Sequence, residues 1–345
     1  MNKNYINIIL TADNNYTKVI GITMTSILEN LDRTTTARFY IFSYKFSCKD
    51  IDELNKLKIK YNCEIVNIPM EAHIHKFDFI NEKDFKNKWI SIACYFRLLL
   101  FDILPDEVCD CFYVDGDMII DCDLRQIKLT DDKMFLACPE IQAMQHRKNI
   151  LSHCYNLPEF ERFQQNAISN PYFNAGFFLV NLQMAKEYNI YDQIMNLLKK
   201  YPKLPYCDQD LLNIIFGQKY RNKIEFLTPE YNVFTVINYN IDYSDTPFST
   251  EVIKKAFKYP KIIHYAGAQK PWNTYKEIHH ENIWWKYYKK SPWGKNYILK
   301  RTQIWFSSKN GFLKIFRKIF SIVNEGKHKV ITVLGLKIKY RRKEN

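Results

Sequence analysis

The chain has 345 residues, of which 47% are hydrophobic and 25% are charged, a composition that is typical of globular proteins and excludes intrinsic disorder. The formal net charge is +13, but residues 286–345 contain 17 Lys and Arg against two acids, so residues 1–285 carry a net charge of −2. Nucleic-acid enzymes usually spread positive charge across a cleft. The asymmetry instead favours a near-neutral catalytic body with a basic attachment segment, and no nucleic-acid partner.

The first 120 residues alternate between strand and helix patterns. Strands are predicted over 6–11, 38–43 and 63–68, with helices over 17–31 and 47–61. A buried helix over 90–104 ends at Pro105, and a strand over 111–114 follows it. This alternation predicts right-handed βαβ units and a mostly parallel central sheet. Because the chain contains no GxGxxG turn, a dinucleotide-binding Rossmann domain is not supported.

The remainder of the α/β pattern ends near residue 275. Strands are predicted over 135–138, 176–181 and 261–265, and helices over 183–200 and 209–216. No linker rich in Gly, Pro or Ser divides the chain. We therefore predict one α/β catalytic domain over 1–275, followed by a basic, aromatic-rich helical extension over 276–345.

The extension has the features of a membrane-attachment segment. Apolar residues at helical spacing between Gly311 and Val323 alternate with Lys314, Arg317 and Lys318, which predicts an amphipathic helix with a cationic face. Such a helix suits an anionic membrane surface, although it could also pack on the body with its lysines in solvent. Residues 330–340 could form a small hairpin around Gly335.

The compartment is also predicted from the sequence. No apolar run approaches about 18 residues, so no transmembrane helix is expected. The N-terminal apolar run is too short for a signal peptide. The nine Cys form no CxxC pair, which favours reduced thiols. We expect a cytoplasmic protein that lies peripherally on the inner face of the cell membrane.

One Asp-x-Asp pair differs from the others. The pattern occurs four times, at Asp50/Asp52, Asp115/Asp117, Asp121/Asp123 and Asp208/Asp210. The first pair lies at a polar helix start and the third reads as turn formers. Only Asp115 and Asp117 lie at a strand end between apolar residues, where two like charges would be prohibitive without a cation. With His264 downstream, they provide the ligand set of a divalent cation that also holds a diphosphate.

Six segments together resemble glycosyltransferase family 8. They span residues 11–16, 91–97, 113–117, 173–176, 207–210 and 264–272. The family comprises retaining enzymes that include lipopolysaccharide and lipooligosaccharide galactosyl- and glucosyltransferases and, more distantly, glycogenin. The resemblance covers about residues 5–272 and implies a GT-A fold, which is Rossmann-like with a mostly parallel sheet. It also implies a UDP-sugar donor and Mn2+, with Mg2+ as the alternative.

The resemblance also implies the roles of individual residues. The metal ligands would be Asp115, Asp117 and His264. The donor nucleoside would be surrounded by Thr11, Asp13, Asn15 and Tyr16. Gly267 would keep the backbone close to the diphosphate, and Lys270 would cap the β-phosphate. The transferred sugar would be ringed by Asn174, Asp208 and Gln209, with Glu140 as a weaker candidate. Arg97 would help to bind the donor and organise the acidic pair, and further donor-binding candidates are Ala12, Gly116 and Ala175.

Several of these residues also have simpler interpretations. A buried Arg97 must meet an acid such as Asp115, a phosphate or a sugar hydroxyl, because leaving it unpaired would be costly. Asp208 lies at a predicted helix start and is also a candidate N-cap. The Asn14–Tyr16 run, taken alone, reads as a turn.

The expected reaction moves galactose or glucose from a UDP-sugar to a lipid-linked saccharide, as in lipopolysaccharide biosynthesis. The catalytic candidates are Gln209 and Asp208. Since an amide is a poor nucleophile, the expected mechanism is front-face substitution, and double displacement through Asp208 stays open.

Two other function classes also use an α/β fold of this kind. A nucleotidyltransferase would show a Gly-rich basic loop after its first strand, which residues 11–16 lack. A catalytically silent carbohydrate-binding relative is the other alternative. The complete set of Asp115, Asp117, His264 and Lys270 argues against it.

Overall fold

The computed structural model describes residues 5–80, 92–141, 171–235, 246–274, 277–308, 320–325, 328–333 and 336–341. The strands are β1 Tyr5–Asp13, β2 Thr36–Tyr44, β3 Cys63–Pro69, β4 Asp110–Val114, β5 Met118–Ile120, β6 Phe135–Pro139, β7 Phe173–Asn181, β8 Ile224–Phe226, β9 Val233–Phe234, β10 Ile262–His264, β11 Phe320–Glu325, β12 His328–Val333 and β13 Leu336–Arg341. The α-helices are α1 Thr17–Asn30, α2 Cys48–Asn55, α3 Ala93–Phe96, α4 Leu100–Ile103, α5 Leu182–Glu187, α6 Ile190–Lys200, α7 Asp208–Leu212, α8 Thr250–Lys258, α9 Glu281–Lys290 and α10 Tyr297–Ser308.

A seven-stranded sheet in the order β3-β2-β1-β4-β7-β6-β8 forms the centre of the molecule. The strands β3, β2, β1 and β4 run parallel, and so do β6 and β8. Only β7 runs antiparallel to both of its neighbours. The prediction of an α/β fold with a mostly parallel sheet is therefore confirmed.

The central strands are apolar on both faces because each face is covered by its own hydrophobic core. Successive residues alternate between the two cores. Phe112 stacks on Phe177 in one core, with ring centroids 5.9 Å apart, and Tyr113 stacks on Phe178 in the other, at 5.1 Å. This alternation follows from the two-residue period of a strand. It fixes the register of β4 and thus the position at which the chain leaves the sheet.

A second, three-stranded sheet lies beyond the end of β4, in the order β5-β10-β9. Strand β10 runs antiparallel to β5 and parallel to β9. His264 is paired with Met118 on one side and with Phe234 on the other. The second sheet therefore brings His264 next to the segment that follows β4.

Several predicted helices are interrupted in the structure. The helix predicted over 183–200 is two helices separated at Asn189, which has a left-handed backbone (φ 49°). The helix predicted over 47–61 continues beyond α2 as a 3₁₀ turn at Lys56–Ile59. The segment Ala93–Ile103 consists of α3, a 3₁₀ turn at Arg97–Leu99 and α4. Helix α7 continues as a π-helix at Asn213–Lys219.

The C-terminal prediction needs correction. Residues 309–319 lie outside the described residues, but Phe320–Glu325 forms strand β11, so the amphipathic helix predicted up to Val323 is wrong over its last turn. Strand β11 pairs antiparallel with β12, and Ile322 lies opposite Ile331. The predicted hairpin is confirmed, because β12 and β13 pair antiparallel. Within the described ranges, no helix has the length and apolar content needed to cross a membrane.

Candidate active site

The two carboxylates predicted as metal ligands follow the end of β4. The backbone N–H of Asp115 donates to the Gly176 carbonyl of β7 at 2.7 Å, and Asp115 Oδ1 accepts a hydrogen bond from the Tyr113 hydroxyl at 3.0 Å. The Tyr265 backbone N–H donates to the Asp117 carbonyl at 3.0 Å. Both acidic residues are thus held by the two sheets between which they lie.

Asp115, Asp117 and His264 converge as predicted. Each offers one ligand atom, and these atoms all lie within 4.8 Å of one another. His264 Nε2 is 3.3 Å from Asp117 Oδ1 and 3.8 Å from Asp115 Oδ2. Two carboxylates and one imidazole form a donor set that divalent cations such as Mn2+ accept. The residues present therefore fit the divalent cation that the sequence implies.

Lys270 adds a positive charge to this cluster. Its ammonium contacts Asp117 Oδ2 and donates to the Tyr265 carbonyl, and the residue is buried. Burial raises the pKa of Asp117, but the Lys270 ammonium, together with the adjacent His264, outweighs that effect and holds this pKa well below its usual range. Asp117 is consequently ionised at neutral pH, as a metal ligand must be.

Arg97 joins the metal cluster to the predicted sugar site. Its Nη2 lies 3.1 Å from Asp115 Oδ1, and its Nε lies 2.9 Å from Asp208 Oδ2. Its Nη1 donates to the Ala175 carbonyl at 2.6 Å. The expectation that a buried Arg97 meets an acid such as Asp115 is confirmed. Its second acid, Asp208, was not predicted from the sequence.

Asp208 does not cap its helix. The N-cap position is occupied by Cys207, which has a positive φ of 50°. Asp208 is the first residue of α7, and its side chain is free to turn towards Arg97 because the cap lies one residue earlier. Burial raises the pKa of Asp208 to about 6, although Arg97 opposes the shift.

The amide of Gln209 is fully engaged by the protein. Its Oε1 accepts from the Ala175 N–H at 3.0 Å and from Asn174 Nδ2 at 2.9 Å. Its Nε2 donates to Glu140 Oε2 at 2.7 Å and to the Tyr172 hydroxyl at 3.2 Å. A primary amide has two donor hydrogens and two acceptor lone pairs. Gln209 would therefore have to give up a bond to the protein in order to contact a sugar.

Asn174 is engaged in the same way. Besides its bond to Gln209, its Nδ2 donates to Glu140 Oε2 at 3.1 Å. Its Oδ1 accepts from the Gly176 N–H and from Asn232 Nδ2, both at 3.0 Å. Direct contact of Asn174 and Gln209 with the sugar stays a prediction, and the structure gives both amides the additional role of holding Glu140.

Behind these amides lies Asp210, which is fully buried. Its Oδ1 accepts from the Tyr172 hydroxyl at 2.7 Å, and its Oδ2 accepts from the Tyr206 N–H at 2.8 Å. Burial raises the pKa of Asp210 to about 7. Asp210 was noted in the sequence only as part of an Asp-x-Asp pair, and Tyr172 carried no local signal.

The predicted nucleoside segment lies at the end of β1. Asp13 Oδ1 accepts from the Asn15 N–H at 2.9 Å, and the Asp13 carbonyl accepts from the Tyr16 N–H at 2.9 Å, which is a turn as the sequence indicated. Burial, with the nearby carboxylates of Asp117 and Asp13, raises the pKa of Tyr16. The Tyr16 ring meets Trp272 edge-on, with centroids 6.3 Å apart. The segment therefore adjoins the metal cluster through Tyr16.

The other predicted donor-binding residues lie in the same region. Thr11 and Ala12 are the strand residues before Asp13, and Gly116 lies between the two carboxylates. A Cβ at Gly116 would lie 2.6 Å from Ile20 Cγ2, so α1 packs against this turn only because the residue is glycine. Gly267 has a φ of +82°, which also favours glycine. Binding of the donor by these residues stays a prediction.

An open α/β sheet with an acidic cluster that could hold a metal ion, at the carboxyl end of a central strand, has the architecture of the GT-A fold. The sequence profile of glycosyl transferase family 8 matches residues 7–276, and the chain belongs to this family. The nucleotidyltransferase alternative is therefore set aside, and the chain is a glycosyltransferase.

Three known proteins illustrate the relationship. General stress protein A of Bacillus subtilis is 22% identical over 295 residues, covering 84% of this chain and 94% of its own. Lipopolysaccharide 1,2-glucosyltransferase of Escherichia coli is 25% identical over 286 residues, covering 81% of this chain and 77% of its own. The structure of LgtC, a galactosyltransferase solved with donor and acceptor sugar analogues, superposes with a TM-score of 0.61 at 19% identity, covering 83% of this chain and 96% of LgtC. The last comparison establishes the fold alone.

Proposed function

We propose that the protein is a retaining, Mn2+-dependent hexosyltransferase. It would move galactose or glucose from a UDP-sugar to a lipid-linked saccharide in lipopolysaccharide or lipooligosaccharide biosynthesis. The observation that carries the proposal is the convergence of Asp115, Asp117 and His264 beside Lys270. The names of the E. coli relative and of LgtC, a glucosyltransferase and a galactosyltransferase, support a hexose donor.

Asp115, Asp117 and His264 would hold the divalent cation, Mn2+ or Mg2+, which supplies positive charge to the departing diphosphate. Lys270 would contribute a second positive charge at the same place, because its buried ammonium already lies against Asp117. Arg97 would keep Asp115 in position and compensate the charge of Asp208.

Front-face substitution is the mechanism that the site favours. The bond from the anomeric carbon to the donor phosphate oxygen breaks, and a bond to the acceptor oxygen forms on the same face. The acceptor's proton passes to the departing phosphate oxygen, so no protein base is required. Gln209 is unsuited to nucleophilic attack because all four hydrogen-bonding positions of its amide are in use. Capture of a covalent glycosyl adduct on Asp208 would instead establish double displacement.

We also propose that the enzyme is cytoplasmic and binds the inner face of the cell membrane peripherally. The support is the distribution of charge, because the acceptor would be lipid-linked and the net charge of residues 286–345 is +15.

The proposed function is tested by UDP release from UDP-galactose, UDP-glucose and UDP-N-acetylglucosamine, with Mn2+ or with a chelator. We expect metal-dependent release from one hexose donor, and a loss of at least about a thousandfold in Asp117→Ala, because a group that stabilises the departing charge is removed. Asp52→Ala is the matched control, since Asp52 is exposed and belongs to an Asp-x-Asp pair outside the cluster.

The outcomes separate the candidate functions. Release that survives both the chelator and Asp117→Ala would contradict the metal-dependent transferase. If no donor is turned over, calorimetry of UDP binding decides. Tight, metal-dependent binding without turnover, even with a screen of saccharide acceptors, would identify the carbohydrate-binding relative.

A further inference from the structure

Asn232 lies behind the metal ligand His264, on the side away from the two carboxylates. It is buried, with 6% of its surface exposed. Its Oδ1 is 3.2 Å from His264 Nδ1, and its Nδ2 donates to Asn174 Oδ1 at 3.0 Å. No sequence pattern selects Asn232, because this residue precedes the two-residue strand β9, which contacts β10 only in the folded chain.

The orientation of the Asn232 amide follows from its neighbours. Asn174 Oδ1 accepts from the backbone N–H of Gly176, which can only donate, so that atom of Asn174 must be the oxygen. On its other side, Asn174 Nδ2 faces the Glu140 carboxylate, which accepts. Asn232 must therefore present its NH2 group to Asn174 Oδ1. Its oxygen is left facing His264.

This orientation determines which nitrogen carries the proton when His264 is neutral, as a histidine that binds a metal must be. An amide oxygen only accepts, so His264 Nδ1 must be protonated to bond with it. His264 Nε2 then keeps its lone pair, and this is the nitrogen that lies 3.3 Å from Asp117 Oδ1. The opposite tautomer would direct an N–H at the cation position. The Phe234 ring meets the imidazole edge-on, with ring centroids 4.9 Å apart, and restricts the rotation of the imidazole.

We propose that Asn232 is a positioning residue that holds His264 in the Nδ1–H tautomer, so that Nε2 is ready to bind a divalent cation. Asn232 itself touches no substrate or metal. The proposal rests on the metal site of the proposed function, but the contact between His264 Nδ1 and Asn232 Oδ1 does not depend on a bound metal. Partners of metal-bound histidines act in this way in other proteins, and their removal typically weakens metal binding by about 10–100-fold.

The test begins with the metal-free protein, at a pH high enough that the histidine signals no longer change, so that His264 is neutral. Protein labelled with 15N at histidine is examined by long-range 1H–15N NMR, and the His264 signals are identified by their absence in His264→Ala. We expect the Nδ1–H pattern in the wild type and a mixture of tautomers in Asn232→Leu, which is similar in size but offers no acceptor. An Nε2–H pattern in the wild type, or an unchanged Nδ1–H pattern in Asn232→Leu, would overturn the proposal.

The second measurement is the affinity for Mn2+ itself, which is determined from the electron paramagnetic resonance signal of the free ion. Asn232→Leu should bind Mn2+ about 10–100-fold more weakly. Asn232→Asp still accepts from Nδ1 but cannot donate to Asn174, so it should retain the tautomer and bind Mn2+ within a few-fold of the wild type. This variant decides the question if Asn232→Leu does not fold.

The matched control is Asn30→Leu, which removes a half-buried amide bonded to the Ile120 carbonyl and the Tyr287 hydroxyl. It should leave both the tautomer and the Mn2+ affinity unchanged. An equal loss of affinity in the control would indicate general destabilisation and overturn the positioning role. Absence of Mn2+ binding in the wild type would contradict the proposed function instead, and the NMR result would still decide the tautomer.

Discussion

Gly176 packs directly against the candidate metal site. A Cβ at this position would lie 2.7 Å from Asp115 Oδ2 and 2.8 Å from both Asn174 Oδ1 and His264 Cε1. Real Cβ atoms do not approach other atoms so closely, so a side chain here would displace at least one candidate metal ligand. The absence of a side chain is therefore part of the geometry of the site.

We predict that Gly176→Ala lowers the affinity for Mn2+ by at least about tenfold, because misplaced ligands no longer converge. Titration with Mn2+ measures the effect. Gly21→Ala is the control, since its Cβ would lie 2.2 Å from Trp293 Cη2, far from the ligands. It should lower the melting temperature but not the Mn2+ affinity. Equal affinities in the wild type and Gly176→Ala would show that the site adapts to the methyl group.

Asp210 makes stability depend on pH. Its pKa is about 7 in the folded protein and 3.8 for an ordinary aspartate, because burial disfavours the charged form. The folded state therefore binds a proton more tightly than the unfolded state between these values. As the pH rises through this window, the contribution of Asp210 to the free energy of unfolding falls, by up to about 4 kcal/mol in total.

We predict that Asp210→Asn removes this pH-dependent loss in the free energy of unfolding. Urea denaturation at about pH 5 and about pH 8 should show that the wild type becomes less stable relative to Asp210→Asn as the pH rises. Comparison with the variant cancels the other titrating groups. Asp52→Asn, at an exposed position, should show no such difference. A constant gap between wild type and Asp210→Asn would mean that Asp210 stays ionised throughout.

At the scale of elements, the segment Ala93–Ile103 serves to deliver Arg97 to two carboxylates from different parts of the chain. Asp115 follows β4 and Asp208 begins α7. The Arg97 side chain is only 13% exposed, and the pair with Asp208, which is 7% exposed, is similarly buried. Removing the guanidinium would leave two poorly solvated carboxylates beside each other.

Arg97→Met should therefore lower the free energy of unfolding by about 3–5 kcal/mol, as is usual when one partner of a buried ion pair is lost. The control is Arg38→Met, whose pair with Glu64 is more exposed, at 21% and 35%, and should contribute at most about 1 kcal/mol. Urea denaturation at constant pH compares the two. Similar losses in the free energy of unfolding in both variants would contradict the assignment of Arg97 to a buried ion pair.

Site residues that are marked by a short stretch of sequence could be predicted, whereas residues that are placed by long-range contacts could not. We could predict the ends of β1 and β4, the candidate metal ligands and Arg97, because strand patterns and sequence motifs lie within short stretches of the chain. Asn232 could not be predicted, because its role arises from the pairing of β9 with β10. Asn189, between two helices, and Cys207, before α7, have positive φ without glycine. Asparagine adopts this conformation more often than most residues but less often than glycine, so it is a weak signal, and cysteine is none.

In the C-terminal segment up to residue 345, by contrast, one sequence pattern fits two different structures. The apolar spacing up to Val323 fits a helix, but Phe320 and Ile322 also alternate as in a strand. Gly326 lies between two runs of β-branched residues, a pattern that is typical of a hairpin. This pattern favours the two strands β11 and β12 over a helix. Pairing with β12 prevailed over the helical pattern in residues 320–325.

At the scale of the whole molecule, the first part of the predicted extension packs on the catalytic body. Trp284 and Trp285 of α9 are buried in the hydrophobic core on one face of the central sheet. Trp293 lies against Gly21 of α1, and its Nε1 donates to Glu53 Oε2 at 2.7 Å. Ile304 of α10 is also buried. A truncation that preserves the body must therefore end after α10, at Ser308.

We predict that a chain ending at Ser308 keeps its UDP-release activity and its melting temperature but no longer sediments with anionic vesicles. The removed residues 309–345 contain 11 Lys and Arg and two acids, and each basic residue near an anionic surface contributes about 1 kcal/mol. Binding of the full chain should weaken as salt is raised, and neither chain should bind neutral phosphatidylcholine vesicles. In β13, the exposed Lys337 and Lys339 permit a milder test: Lys337→Glu with Lys339→Glu should reduce vesicle binding without truncation. If the truncated chain still sediments with anionic vesicles, the attachment surface belongs to the catalytic body.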